Sequence, residues 1–168
     1  RRVELLLGRA RTLAEQVGSP ERATRAFEQV LEMSPGHGGA LEALARLREM
    51  SGDANAALTA IEALAAKAQT PEQQAEQWMR AAKLLESRGD RDGAIGRYKL
   101  ALESNPKDQS AAAALRAAYA ARGDAVSVVE LIEKELARAE SNLAKARRLA
   151  ELARLQCDQL LDDVKAEA

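Results

Sequence analysis

The stretch AEQWMRAAKLLESRGDRDGAIGRYKLALESNP, Ala75 to Pro106, decides how the rest of the chain reads. Two runs rich in strong helix formers flank the pair Gly89-Asp90. A glycine just past a helix can turn left-handed and close its last turn. An aspartate after it can accept hydrogen bonds from the free N–H groups of the next helix. The stretch therefore predicts a tight helix–turn–helix, closed by Asn105-Pro106.

Outward from Gly89 the same punctuation recurs at Gly18-Ser19, Gly52-Asp53 and Gly123-Asp124, with spacings of 34, 37 and 34 residues between successive glycines. A period of that size points to a solenoid. In SPER, Ser19 to Arg22, proline takes the first helical position, where its missing N–H costs nothing. The wider gap falls at AKAQTPEQQ, Ala66 to Gln74, where Thr70, Pro71 and Gln73 spell a helix start. A longer period overlies the first. Gly18 and Gly89, Gly52 and Gly123, Pro35 and Pro106, Phe27 and Tyr98, and Leu31 and Leu102 all stand 71 residues apart. The repeating element is thus a pair of hairpins. One more step reaches QLLDDVKA, Gln159 to Ala166, which predicts a fifth turn with Asp162-Asp163 as turn or cap.

Composition agrees. Of 168 residues, 37 are alanine, and the aromatics are only Phe27, Trp78, Tyr98 and Tyr119. No stretch alternates as a half-buried strand would. The expected fold is all-α, a solenoid of antiparallel helix pairs with a thin core of small contacts. The formal net charge is -1, so nothing in bulk electrostatics favours nucleic acid or an anionic membrane. No apolar run approaches the ~20 residues of a membrane span. One cysteine, Cys157, excludes an internal disulfide framework. The ends RRVELLL and DDVKAEA do not look native, so we expect a fragment of a longer protein. Its compartment is open, with the cytoplasm favoured. Arginine outnumbers lysine 18 to 7, which suggests a GC-rich bacterial gene.

The segment 75–106 resembles a tetratricopeptide (TPR) repeat, whose pattern runs W-x2-L-G-x2-Y, A-x3-F, P. Trp78 takes the first place, Ala81 and Ala82 the Leu-Gly pair, Leu85 the Tyr, and Ala94, Tyr98 and Pro106 the later places. The units that follow are 4–37, 38–71, 75–108, 109–142 and a truncated fifth at 143–168. Departures are Arg11, Arg116 and Arg154 at a place that usually holds a small residue, Arg48 for an aromatic, and Glu135 for alanine. They point either to looser packing or to a register error of one position.

Catalysis, a metal and a cofactor are not expected. SPGHGG, Ser34 to Gly39, holds the only histidine, His37, with no second histidine to help it. Dinucleotide loops follow a strand; this one follows a helical run. Shifted by 71 it becomes NPKDQS, with His37 on Asp108, so the expected reading is an exposed inter-repeat turn. Cys157 reads as a packing residue. Charge runs such as LARAESNLAKARR, Leu136 to Arg148, read as solvated faces, with no aromatic platform for nucleic acid.

The TPR resemblance implies a right-handed superhelical solenoid with a concave groove lined by the first helix of each pair, receiving a protein or peptide. Its places fall on Glu42, Arg46, Glu49 and Met50 in the second unit, on Glu76, Met79, Arg80 and Lys83 in the third, and on Ala113 and Ala117 in the fourth. Two methionines would suit adaptable contact. Residues of the chaperone-carboxylate clamp are absent, with Gly8, Thr12, Met79 and Lys83 at two of its sets of places. The expected function is a non-catalytic interaction scaffold. The alternatives are a spacer or self-association segment, and an accessory domain of an enzyme beyond this chain.

Overall fold

The computed structural model describes residues 1–15, 19–139 and 141–166, with side chains described to residue 155. The chain is all-α, and its described residues form α1 (Arg2–Glu15), α2 (Pro20–Met33), α3 (Gly38–Ser51), α4 (Ala54–Lys67), α5 (Pro71–Ser87), α6 (Arg91–Ser104), α7 (Gln109–Arg122), α8 (Ala125–Arg138) and α9 (Asn142–Ala166). They fall in two compact units, Arg1–Ala111 and Ala112–Ala168. In the first, α1 packs on α2, α3 on α4 and α5 on α6; α2 also meets α3, and α4 meets α5. In the second, α8 packs on α9.

The turns form as the glycine–aspartate pairs predict. Gly52, Gly89 and Gly123 have φ of 78°, 79° and 77°, a left-handed conformation that a side chain would strain. The aspartate after each caps the next helix: Asp53 accepts from the Ala56 N–H at 3.2 Å, Asp90 from Gly93 at 2.9 Å and Asp124 from Ser127 at 3.1 Å. A hydrogen bond from the Ser127 hydroxyl, then Arg122 beside it, pull the Asp124 carboxyl down to about 2. Ser19 differs. It stands at the N-cap of α2 but its side chain makes no cap bond, so Pro20 at the helix start is left to mark the boundary. Gly18 lies outside the described residues. At Thr70 the hydroxyl accepts from the Gln73 N–H at 3.2 Å, while Gln73 reaches back to accept from the Gln69 N–H at 3.1 Å. The reciprocal capping pair is thus displaced by one residue.

His37 corrects the expectation of an exposed turn residue. It is half-buried, and its Nδ1 accepts from the Ala40 N–H at 3.2 Å as the N-cap of α3. Its counterpart 71 residues on, Asp108, accepts from the N–H groups of Ser110 at 2.9 Å and Ala111 at 3.2 Å at the start of α7. Burial raises the Asp108 pKa, but these bonds and one from the Ser110 hydroxyl outweigh it and hold the carboxyl below its ordinary value. One capping position is filled by an imidazole in one copy and a carboxylate in the other.

The first unit is built on small residues around a few large ones. Phe27 and Val30 of α2 sit with Ala10, Leu13, Ala23, Ala40 and Leu44 in one cluster. Ile61 of α4 sits with Ala45, Ala60 and Ala81 in another, and Trp78 and Leu84 of α5 cover it. The two aromatics set 71 apart, Phe27 and Tyr98, are both 2 % exposed. Tyr98 keeps a polar tip, its hydroxyl donating to Glu86 Oε2 at 2.9 Å.

Burial first, then that hydrogen bond and the Glu86 charge, push the Tyr98 pKa up to about 12. An unfolded tyrosine titrates near ~10. The folded protein therefore binds the phenolic proton more tightly than the unfolded chain does. The stabilisation is complete below the unfolded value and is lost as pH rises toward about 12. Tyr98→Phe removes this dependence. Melting temperatures measured across that interval are expected to fall more steeply for the parent than for the variant; parallel curves would count against it.

In the second unit the departures at Arg116 and Glu135 prove to be one feature. The two side chains pair with each other, Arg148 Nε reaches Glu135 at 2.5 Å, and Glu151 accepts from Arg148 Nη1 at 3.0 Å and lies 3.2 Å from Arg116 Nε. Arg116 from α7, Glu135 from α8, and Arg148 and Glu151 from α9 thus form a network of two cations and two carboxylates. In the first unit Arg48 is likewise engaged, by Glu28 of α2 at 2.5 Å and by Asp53 at 3.1 Å. At these three residues neither looser packing nor a shifted register is needed. Arg11 and Arg154 are exposed.

The predicted fifth turn does not form. α9 runs unbroken from Asn142 to Ala166, through Gln159 to Ala166. That stretch lacks the glycine which follows α3, α5 and α7. The side chains of Cys157, Asp162 and Asp163 lie outside the described residues.

Candidate functional site

The first unit holds an open cleft of about 1070 Å³. Its walls come from the first helices of successive pairs, α3 and α5, with Asn105, Asp108 and Ser110 from the α6–α7 connection and the start of α7. Helical spacing explains the placement. Glu42, Arg46 and Glu49 lie four and three residues apart on one face of α3, and Glu76, Arg80 and Lys83 repeat that spacing on α5.

Arg80 is the geometric centre of the polar contacts. Its Nε and Nη2 donate to the two Glu49 oxygens at 3.0 and 2.7 Å, and Nη1 donates to both Glu42 oxygens at 3.1 and 3.0 Å. Glu42 also accepts from Arg46 Nε at 2.8 Å. The planar guanidinium fork fits two carboxylates in this way; an ammonium group would not. The hydrogen bond to Glu49 leads in raising the Arg80 pKa above its ordinary value, against the opposing effect of burial.

These bonds consume much of the charge in the cleft. Its lining carries five acidic side chains, Glu42, Glu49, Glu72, Glu76 and Asp108, and three basic ones, Arg46, Arg80 and Lys83. Glu42 and Glu49 are held by arginine, and Asp108 is turned to the helix start. Glu76 and Lys83 are exposed, two turns apart on α5. The Gln77 Oε1 in the wall is buried without a hydrogen-bond donor. The surface is thus mixed in charge, suited to polar contact with a protein segment more than to an apolar small molecule.

Of the expected groove residues, Glu42, Arg46, Glu49, Glu76, Met79, Arg80 and Lys83 line this one cleft. Met79 is 9 % exposed, so it serves mainly as packing beneath the surface. Met50 is 84 % exposed on α3 and does not line the cleft. Ala113 and Ala117 lie in the second unit, both on the exposed side of α7. Ser110, a groove place of the fourth unit on the same resemblance, also lines the cleft, whereas sequence reasoning did not single out Glu72, Gln77, Leu84, Asn105 or Asp108 for the groove. The inter-repeat register marks Asn105 and Asp108 as connection residues, but only the fold places that connection beside α3 and α5.

Among the described residues, no group of three or more His, Cys, Asp or Glu side chains is placed to hold a metal ion. No described helix is long and apolar enough to cross a membrane.

Stacked antiparallel helix pairs with glycine–aspartate turns and alanine-lined contacts define a helical-repeat protein. Residues 14–84 match the family model of the tetratricopeptide repeat. No curated protein matches the sequence. Solved structures share the fold. A crystal structure of MamA is 22% identical with a TM-score of 0.59, covering 89% of this chain and 81% of that one. A tetratricopeptide repeat protein from Parabacteroides merdae is 18% identical with a TM-score of 0.61, covering 93% of this chain and 60% of that one. A structure of Naa15/Naa10 bound to HypK-THB is 20% identical with a TM-score of 0.55, covering all of this chain and 25% of the other. At these identities the likeness is one of fold.

Proposed function

We propose that this chain is a non-catalytic scaffold that holds a segment of another protein in the cleft between α3 and α5. The observation that carries this reading is the cleft itself, about 1070 Å³, open, and walled by the first helices of two successive pairs. Arg80 braces those walls through Glu42 and Glu49. A braced surface loses less conformational freedom on binding than a mobile one. Glu76 and Lys83, exposed in the lining, are the side chains offered to the partner. The exposed alanine side of α7, with Ala113 and Ala117, is a second and separate contact surface on the same reading. A family of folds that includes the Naa15/Naa10 structure bound to HypK-THB is consistent with this use.

The test is a photo-cross-linking side chain placed at Lys83 and expressed in cells, with Met50 outside the cleft as control. A discrete cross-linked protein is expected from position 83 only. Combined Glu76→Lys and Lys83→Glu is expected to weaken that partner's binding about tenfold, which corresponds to ~1.4 kcal/mol. Both residues are exposed, so the fold is expected to survive. Met79→Glu would be a poor probe, since it buries a charge. Absence of any cross-link at 83 would leave the spacer reading in place.

A further inference from the structure

The 71-residue period makes the first helix pair comparable with the third. Arg9, Ala10 and Leu13 of α1 stand at the places of Arg80, Ala81 and Leu84 of α5, and Phe27 of α2 at that of Tyr98 of α6. In the third pair the α5 places cover the pair before it. Arg80 grips Glu42 and Glu49, seven residues apart on α3. Arg97 of α6 donates to Glu62 of α4, from Nε at 2.9 Å and Nη2 at 2.6 Å. Trp78 and Leu84 cover Ala45, Ala60 and Ile61. Two arginines thus engage three glutamates over an apolar floor.

The corresponding side of α1–α2 has the cations without the carboxylates. Arg9, Arg22 and Arg25 surround a cleft of about 190 Å³ with Leu13, Ala26 and Gln29 in its lining. Arg25 lies one residue before the place of Arg97. All three arginines are exposed, and among the described residues none has a hydrogen-bond or ion-pair partner. Like charges gathered this way repel one another and raise the local potential for an anionic partner.

We propose that this side of α1–α2 docks a helix of another polypeptide that carries two carboxylates seven residues apart. Arg9 takes that pair as Arg80 takes Glu42 and Glu49. Arg22 and Arg25 receive a further carboxylate on the side where Arg97 meets Glu62. Leu13 supplies apolar contact beneath them. The proposal is independent of the cleft between α3 and α5.

The probe is a fluorescent synthetic peptide of residues 38–67, which carries Glu42, Glu49 and Glu62 in the spacing the interior arginines recognise. Anisotropy titration with the 168-residue chain is expected to saturate. Arg9→Glu in the chain, or Glu42→Gln with Glu49→Gln in the peptide, is expected to weaken binding about tenfold, equivalent to ~1.4 kcal/mol. Added salt is expected to weaken it further, and Lys83→Glu, in the separate cleft, to leave it unchanged. Circular dichroism melts check that the exposed Arg9 variant stays folded. Lack of saturation, or binding indifferent to the charge changes, overturns the proposal. Sedimentation showing a dimer that Arg9→Glu dissociates also overturns it, because the occupant is then a second copy of this chain.

Discussion

Arg80→Ala is expected to destabilise the first unit by about 1–3 kcal/mol, between the values for an exposed ion pair and a broken buried one. The side chain is 24% exposed and its carboxylate partners 33% and 30%, so neither limit applies. Its removal deletes all four hydrogen bonds at once and leaves Glu42 and Glu49 facing each other on α3. Water can reach both carboxylates, which keeps the cost below that of a sealed pair. Arg80→Lys is expected to recover only part of the loss, because an ammonium cannot fork to two carboxylates. Glu42→Gln with Glu49→Gln in the Arg80→Ala background is expected to return some stability by relieving the repulsion. Arg80 joins one helix pair to the next, so its loss weakens coupling between neighbours in the array. The thermal transition should therefore broaden as well as shift. A melt of Arg80→Ala that overlays the parent in midpoint and width would show that the bridge contributes nothing.

The turns were legible in the sequence because their chemistry is local. A left-handed glycine and a capping aspartate act within four residues, so Gly52-Asp53, Gly89-Asp90 and Gly123-Asp124 could be read without knowing the fold. The same logic explains the fifth turn. Around Gln159 to Ala166 only the spacing argued for a turn, and without a glycine α9 continues. Ion pairs between helices were not legible. Arg48 and Glu28 are 20 residues apart, and Arg116 and Glu135 are 19 apart, each pair on different helices. Read singly, Arg48, Arg116 and Glu135 break the repeat pattern; only tertiary placement shows that each has a partner. His37 was misread for a related reason. Its alignment with Asp108 was visible, but a shared capping function required the backbone N–H groups to be in place. For the cleft, helical spacing brought Glu42, Arg46, Glu49, Glu76, Arg80 and Lys83 to the right side of their helices. Spacing alone could not separate Met79, which turns inward, from Met50, which turns to solvent.

Ala94→Leu is expected to cost about 1–3 kcal/mol through overpacking. Ala94 is 1% exposed in α6, and Ala101, seven residues on, is fully buried. The place recurs four residues after the N-cap position of the second helix of each pair, as Ala23, Ala57, Ala94 and Val128, all 5% exposed or less. In α2, α4 and α6 the first unit allows only a methyl group there. A leucine would add three carbons against a first helix that already lies close, forcing strained rotamers or separating α5 from α6. The second unit supplies the internal control. Val128 already holds a branched side chain at the same place in α8, so Val128→Leu adds a single carbon and is expected to cost less than ~1.5 kcal/mol. The measurement is the difference between the two variants in urea midpoint and in melting temperature. Equal losses at the two sites would mean that the alanines are not set by close helix approach. No loss at Ala94 would mean that the α5–α6 contact can open by a methylene or more without penalty, against the close packing that interiors otherwise maintain.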